Sequence, residues 1–183
     1  MKHFIFAIIC MLLFTGCVKC MTGRCADCCA EKYVEELNDS IKTARKKITA
    51  GTAGCVIIKN GKIIHDENGR GISPILDIYR QHPDKMKNSF LVDKVIGKAA
   101  AMVAICGKVN HVHAELICDS AVEILEKHNI SVSYTKRVKD ILNRRKDGLC
   151  PMEKTVRNIS CPAKGVTAHE AAVAKMKAES AKR

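Results

Sequence analysis

Tryptophan is absent from this chain and aromatic residues make up only 4% of it. Any core must therefore be built from Ile, Val, Leu, Ala and Met, which the 47% apolar content supplies. Long apolar runs are lacking too. The run Phe4 to Phe14 is eleven residues, too short to cross a bilayer as a helix and suited to a signal-peptide core. Acids are few: 19 against 31 Lys and Arg give a net charge of +12. That balance serves solubility, or an anionic partner such as a phosphorylated ligand, nucleic acid or a lipid head group. At 183 residues the chain holds one ordinary domain plus appendages.

The eleven cysteines are unevenly placed. Six crowd the start (Cys10, Cys17, Cys20, Cys25, Cys28, Cys29), while Cys55, Cys106, Cys118, Cys150 and Cys161 are scattered among apolar neighbours, as small buried hydrophobes are. The body is thus no disulfide scaffold. Leu13-Phe14-Thr15-Gly16-Cys17 resembles a lipoprotein cleavage box, which makes Cys17 the expected lipidation site; another signal or anchor, or a spurious upstream start, are the alternatives. Lipidation implies membrane attachment through the N-terminus, and without a genuine leader the chain is expected in the cytoplasm. The spacing of Cys17, Cys20, Cys25 and Cys28 allows a four-thiolate metal site, a ferredoxin-like cluster or only a flexible leader closed by local disulfides.

From residue 31 the chain reads as a globular body. Apolar positions 33, 34, 37, 41, 44 and 48 predict a helix over 31–50. Asn60-Gly61 between two β-branched runs predicts a hairpin over 53–66. Ser73-Pro74 opens a short helix, with Ser73 as its N-cap. Residues 92–106 are read as one Ala-rich buried helix, 111–118 as a strand, and Ser120 to Glu123 as a capping box opening the next helix. A short strand (130–134) and a basic helix (136–145) complete a mixed sheet with helices on its faces. The hairpin is expected beside residues 110–117. Residues 156–183 are expected as a disordered basic tail; without aromatic residues to stack on bases, nucleic acid is not expected as a partner.

His113-Ala114-Glu115 spells the first half of the zinc-deaminase signature. The chemistry needs that triplet at a helix start and a Pro-Cys-x-x-Cys after it. Here the triplet falls inside a strand, Cys118 has no partner three residues on, and the Pro of Cys150-Pro151 is on the wrong side. Zinc deamination is not expected.

The stretches CVIIKNGKIIH, SFLVDKVIGKAAA, EILEKHNISVSY and DGLCPMEK resemble a small bacterial family of unknown function. Its fold is similar to that of cytidine deaminase with the zinc ligands lost. The likeness covers roughly residues 35–155, and members of that family lack the cysteine-rich leader and the tail. It implies a three-layer α/β/α domain over 31–155, with an N-terminal hairpin and a ligand pocket, and it supplies no established reaction.

The candidate ligand residues are Asp93, Lys94 and Lys98, together with Ser120 and Glu153. On a helix over 92–106, Lys94 and Lys98 sit one turn apart, suited to a phosphate or carboxylate; snorkelling to solvent is the plain alternative. Cys150, near Arg144, Arg145 and Lys146, is the candidate nucleophile, with His65, His111 or His113 as a possible base in space. A cysteine capping the core is its plain alternative. His111, His113 and Glu115 share one strand face, a weak metal pattern. The expected function is binding of a small anionic, nucleotide-like ligand without metal or cofactor. A thiol enzyme using Cys150 and a membrane-tethered interaction module are the alternatives.

Overall fold

Asn60 and Gly61 adopt φ of 52° and 75°, the left-handed conformation that a two-residue hairpin turn needs. In the computed structural model, which describes residues 25–181, they join β1 (Cys55–Lys59) to β2 (Lys62–Glu67) as an antiparallel pair. β1 also pairs antiparallel with β3 (Phe90–Ile96). β4 (His111–Cys118) and β5 (Ser131–Val138) then add in parallel, giving one five-stranded sheet in the order β2-β1-β3-β4-β5.

The helices are α1 (Cys25–Ala50), α2 (Ser73–Gln81), α3 (Pro83–Met86), α4 (Lys98–Cys106), α5 (Asp119–Lys127), α6 (Pro151–Val156) and α7 (Pro162–Ala181). Two apolar clusters define the layers. On one face of the sheet, Ala44 and Ile48 of α1 pack on Val56, Ile58 and Val92. On the other, α2, α4, α5, α6 and α7 bury side chains against Cys55, Ile57, Leu91, Val112 and Ala114. The three-layer α/β arrangement expected from the sequence is the one observed.

Four local expectations are corrected. Residues 90–96 form β3, and the helix begins only at Lys98. A central strand covered on both faces reads as a nearly continuous apolar run, which periodicity does not separate from a buried helix. The hairpin therefore lies beside β3, and β3 stands between it and residues 111–118. Residues 136–145 are no helix: Lys136 to Val138 finish β5, and a loop follows, closed by Asn143 Nδ2 donating to Asp147 Oδ1 at 2.7 Å and by the Leu142–Leu149 bridge. Such side-chain bonds compete with helical ones. Ser73 and Ser120 are not N-caps; Ile72 and Cys118 occupy those positions, without side-chain capping bonds.

The fourth correction concerns the tail. Residues 162–181 form α7, which lies on α4 and buries Val166, His169 and Val173. Positions 166, 169 and 173 make a narrow stripe, too thin to register in an Ala/Lys-rich sequence. Burying the two valines contributes on the order of 3 kcal/mol, enough to order the helix against the core. The globular body therefore extends past residue 155. At the other end, α1 starts at Cys25, so Cys25, Cys28 and Cys29 belong to a helix. Cys17, Cys20 and the leader lie outside the described residues. No helix among the described residues is long and apolar enough to cross a membrane.

His169 is fully buried, and neither ring nitrogen has a well-formed hydrogen bond. Burial lowers its pKa, opposed in part by the backbone of Ala99. The folded state thus favours the neutral ring, and its contribution to stability is present above the unfolded imidazole value of about 6.5 and lost as pH falls. Denaturant unfolding at pH 7 and pH 5 should show the protein weakening on acidification. In His169→Leu that loss should shrink by an amount corresponding to about one proton or less. An identical pH dependence in the variant would contradict this.

Candidate functional site

In open α/β sheets, ligands meet the carboxyl ends of parallel strands, where the following helices begin. Here β3 leads through Gly97 into α4, and β4 leads through Cys118 into α5. The first backbone N–H groups of a helix have no partner within it and carry partial positive charge. At α4 that partner is internal. Lys98 N–H donates to Glu153 Oε2 at 3.0 Å, and Ala99 N–H donates to Glu153 Oε1 at 3.1 Å. A Cβ at Gly97 would collide with the Glu153 carboxylate, so only glycine lets the two approach this closely.

The opening of α5 joins the same cluster. Cys118 is buried, and its thiol donates to Glu153 Oε2 at 3.9 Å, with Ser120 Oγ at 3.3 Å. Burial pushes the Cys118 thiol pKa up and the Glu153 charge adds to that, against a lowering by Ser120. Glu153 is carried in by α6, which starts at Pro151 with Cys150 as N-cap. The anion position at the start of α4 is thus filled by the chain's own carboxylate. Glu153 and Ser120, named from the sequence as ligand residues, both belong to this cluster, in which Glu153 itself acts as the anion.

The lysines do not assemble. Lys94 lies on β3, exposed, on the opposite strand face from Asp93, while Lys98 Nζ donates to the carbonyl of Arg157 at 2.9 Å. The pair expected on one helix face does not exist, because residue 94 is in a strand. Asp93 is buried, paired in register with Cys55, and accepts the Val95 N–H at 3.0 Å. Burial raises its pKa to about 7, against the opposing pull of the Val95 and Lys94 N–H groups and the Cys55 thiol. The Cys55 thiol is in turn pushed well above its ordinary value, first by burial and then by Asp93.

Cys150 is half-buried and packs against the main apolar cluster. Its N–H donates to the Ile141 carbonyl at 2.9 Å, and its own carbonyl accepts from Lys154 N–H at 3.0 Å. The histidines offered as its base are engaged elsewhere: His65 Nδ1 lies 3.0 Å from Lys85 Nζ, and His111 and His113 share Ser133.

That second polar cluster sits on the α1 face of β4. His111 Nε2 and His113 Nδ1 lie 2.8 and 2.9 Å from Ser133 Oγ, and His111 stacks on Phe90 with ring centroids 4.0 Å apart. Arg45 of α1 holds Glu115 in a fork, Nε to Oε1 at 2.6 Å and Nη2 to Oε2 at 3.1 Å, and Thr135 donates to Oε2 at 2.7 Å. The Arg45 hydrogen bonds lower the Glu115 pKa to about 2. Burial, then the neighbouring His113, lower His111 to about 4. Among the described residues no group of three or more His, Cys, Asp and Glu is placed to hold a metal ion. Arg45, Ser133 and Thr135 were not visible from the sequence, since their partners lie 70, 20 and 20 residues away.

A cleft of about 410 Å³ opens beside Met152, the neighbour of Glu153 in sequence. Arg70 and Arg144 flank it, Gly71, Ile72 and Ser73 at the start of α2 form one wall, and Met152, Val173 and Met176 supply its apolar surface. Neither guanidinium makes a hydrogen bond or ion pair with another described residue. The cleft is not legible along the chain, because it gathers residues from four separate stretches.

The fold and this site define an α/β domain with a mixed five-stranded sheet and a self-capped helix start. Residues 43–171 match the model of the family described as TM1506, a domain of unknown function (DUF1893). The chain belongs to that family, which bears out the resemblance read from its sequence. The crystal structure of a DUF1893 family protein from Thermotoga maritima is similar with a TM-score of 0.65 at 22% identity, over 73% of this chain and 89% of that one. RibD from Acinetobacter baumannii is similar at 16% identity with a TM-score of 0.43, over 55% of this chain and 35% of RibD. A diaminohydroxyphosphoribosylaminopyrimidine deaminase/5-amino-6-(5-phosphoribosylamino)uracil reductase from Thermotoga maritima matches at 17% identity with a TM-score of 0.41, over 67% of this chain and 41% of that protein. No curated protein matches the chain in sequence.

Removing the internal anion tests the site directly. Glu153→Ala leaves the Lys98 and Ala99 N–H groups without their partner and should cost about 1–2 kcal/mol, the range of a lost helix cap. Glu153→Gln, which keeps one acceptor oxygen, should cost less. Chemical denaturation of the two variants reads this; Glu153→Ala as stable as the parent would show that the contact does not hold α4.

Proposed function

We propose that this domain binds a small anionic ligand in the cleft between Arg70 and Arg144. The observation that supports the reading is two guanidiniums without partners among the described residues, both lining a cleft with an apolar surface. Arginine presents a planar fork of donors suited to phosphate and carboxylate. The apolar side chains of Met152 and Val173 suit a flat, weakly polar body attached to that charge, as in a nucleoside monophosphate. A volume of about 410 Å³ falls within the usual range of small-molecule sites.

The reading needs no metal. α4 opens Lys98-Ala99-Ala100 and α5 opens Asp119-Ser120-Ala121 after Cys118, which together offer one thiol and no histidine. That thiol faces the Glu153 carboxylate. The zinc-deaminase mechanism requires a His and two Cys, or three Cys, with a separate Glu. Attachment to a membrane through Cys17 belongs to the same proposal and rests on the apolar run and the Thr-Gly-Cys that follows it.

Calorimetric titration of the full chain with a nucleoside monophosphate and with orthophosphate tests the cleft. Arg70→Ala and Arg144→Ala should each weaken binding roughly tenfold or more, the worth of a charge-assisted hydrogen bond. Added salt should weaken it further, since exposed charges are screened over about 8–10 Å at ordinary ionic strength. Cys150→Ser should bind as the parent does. Parental affinity in both arginine variants would overturn the reading, and loss of function confined to Cys150→Ser would favour the thiol enzyme.

A further inference from the structure

The packing of α7 on α4 aligns two cysteines. Gly165 of α7 meets Met102 of α4 so closely that a Cβ on the glycine would collide with the Met102 sulfur. One turn further along α7, His169 is buried next to Ala99, nearly one turn back along α4. The two helices therefore run antiparallel, since advancing on one retreats on the other. Taken a turn in the opposite direction, the same register leads from Met102 to Cys106 and from Gly165 to Cys161. Cys161 holds that place through its carbonyl, which accepts the Gly165 N–H at 3.0 Å.

Both residues carry free thiols. Cys106 closes α4 and is half-buried, while Cys161 immediately precedes α7 and is exposed. Burial raises the Cys106 pKa, and the Cys161 thiol raises it further, as a nearby group of the same sign does. Of the cysteines after α1, Cys55 and Cys118 are buried, against Asp93 and Glu153 respectively, and Cys150 is at the start of α6.

We propose that Cys106 and Cys161 are a disulfide-forming pair that staples α7 to α4. The oxidant is a small-molecule disulfide. The Cys161 thiolate, the accessible one, attacks a sulfur of that disulfide and expels one thiolate, leaving a mixed disulfide on Cys161. The Cys106 thiolate then attacks Sγ of Cys161, forms the protein disulfide and expels the second thiolate. Two protein thiols lose two electrons and two protons, and the small disulfide becomes two thiols. The bond closes a loop over the 55 sequence positions from 106 to 161 and narrows the unfolded ensemble. It also fixes the helix that presents Val173 and Met176 to the cleft. The pairing stands apart from the ligand reading and holds whether or not the cleft binds anything.

The test uses the full chain, reduced and then exposed to oxidised glutathione, digested with trypsin and mapped by mass spectrometry without reduction. The expected product is peptide 99–108 joined to peptide 158–164, with the mass of the pair less two hydrogens. Oxidation should raise the thermal midpoint by about 5 °C or more, and both the joined peptide and the shift should vanish in Cys161→Ser and in Cys106→Ser. Cys161 lies exposed, so its variant folds even if the other does not. A stable glutathione adduct on Cys161 with Cys106 still free, a link from either residue to another cysteine, or no reaction would overturn the pairing.

Discussion

The contact on which the site depends is the bond of the Glu153 carboxylate to the first two N–H groups of α4. A helix start at the carboxyl end of a parallel strand is a ready-made position for an anion. Filling it from within satisfies two part-buried donors, ties α6 to α4 across more than fifty residues of sequence, and draws Cys118 and Ser120 into the same cluster. It also sets a steric condition, because Gly97 has to lack a side chain for the carboxylate to fit. Under the proposed reading, anion recognition from outside falls to Arg70 and Arg144, which line the cleft together with Met152.

The two faces of the sheet divide the remaining work. Six helices, α2 to α7, crowd the face that carries the site. On the opposite face α1 covers the β1 and β3 region, and its Arg45 reaches the β4 carboxylate Glu115. His111, His113 and Ser133 lie there as a hydrogen-bonded patch whose histidines burial keeps neutral. That patch has the residue types of a metal site, but the carboxylate is engaged by a guanidinium and a hydroxyl.

Much of the fold could be read along the chain. The Asn60-Gly61 turn, the helix ending at Ala50, the strand at 111–118 and the family itself all follow from local signals: positive-φ turn residues, apolar periodicity and specific short stretches. The failures share one cause. β3 reads as helix because its first half is covered on both faces, and α7 reads as tail because its buried stripe is one residue wide. Residues 136–145 read as a basic helix, but their first three residues finish β5 and the rest enter a loop held by Asn143 and Asp147. In each case tertiary packing decided what local propensity left undetermined.

The site was less accessible. Glu153 and Ser120 were named from the sequence as ligand residues, but that Glu153 binds the chain's own N–H groups was not legible, since these are 54 and 55 residues away. Lys94 was expected on the helix that carries Lys98 but lies on β3, and Arg70 and Arg144 carried no signal at all. The most direct measurement of the account is amide chemical-shift mapping of the labelled full chain with a nucleoside monophosphate. Filled internally, the α4 start should be silent: Gly71, Ser73, Arg144 and Val173 should shift on titration while Lys98 and Ala99 stay in place. Shifts centred on Lys98 and Ala99, with the cleft amides unmoved, would mean that the ligand displaces Glu153, and would contradict the account.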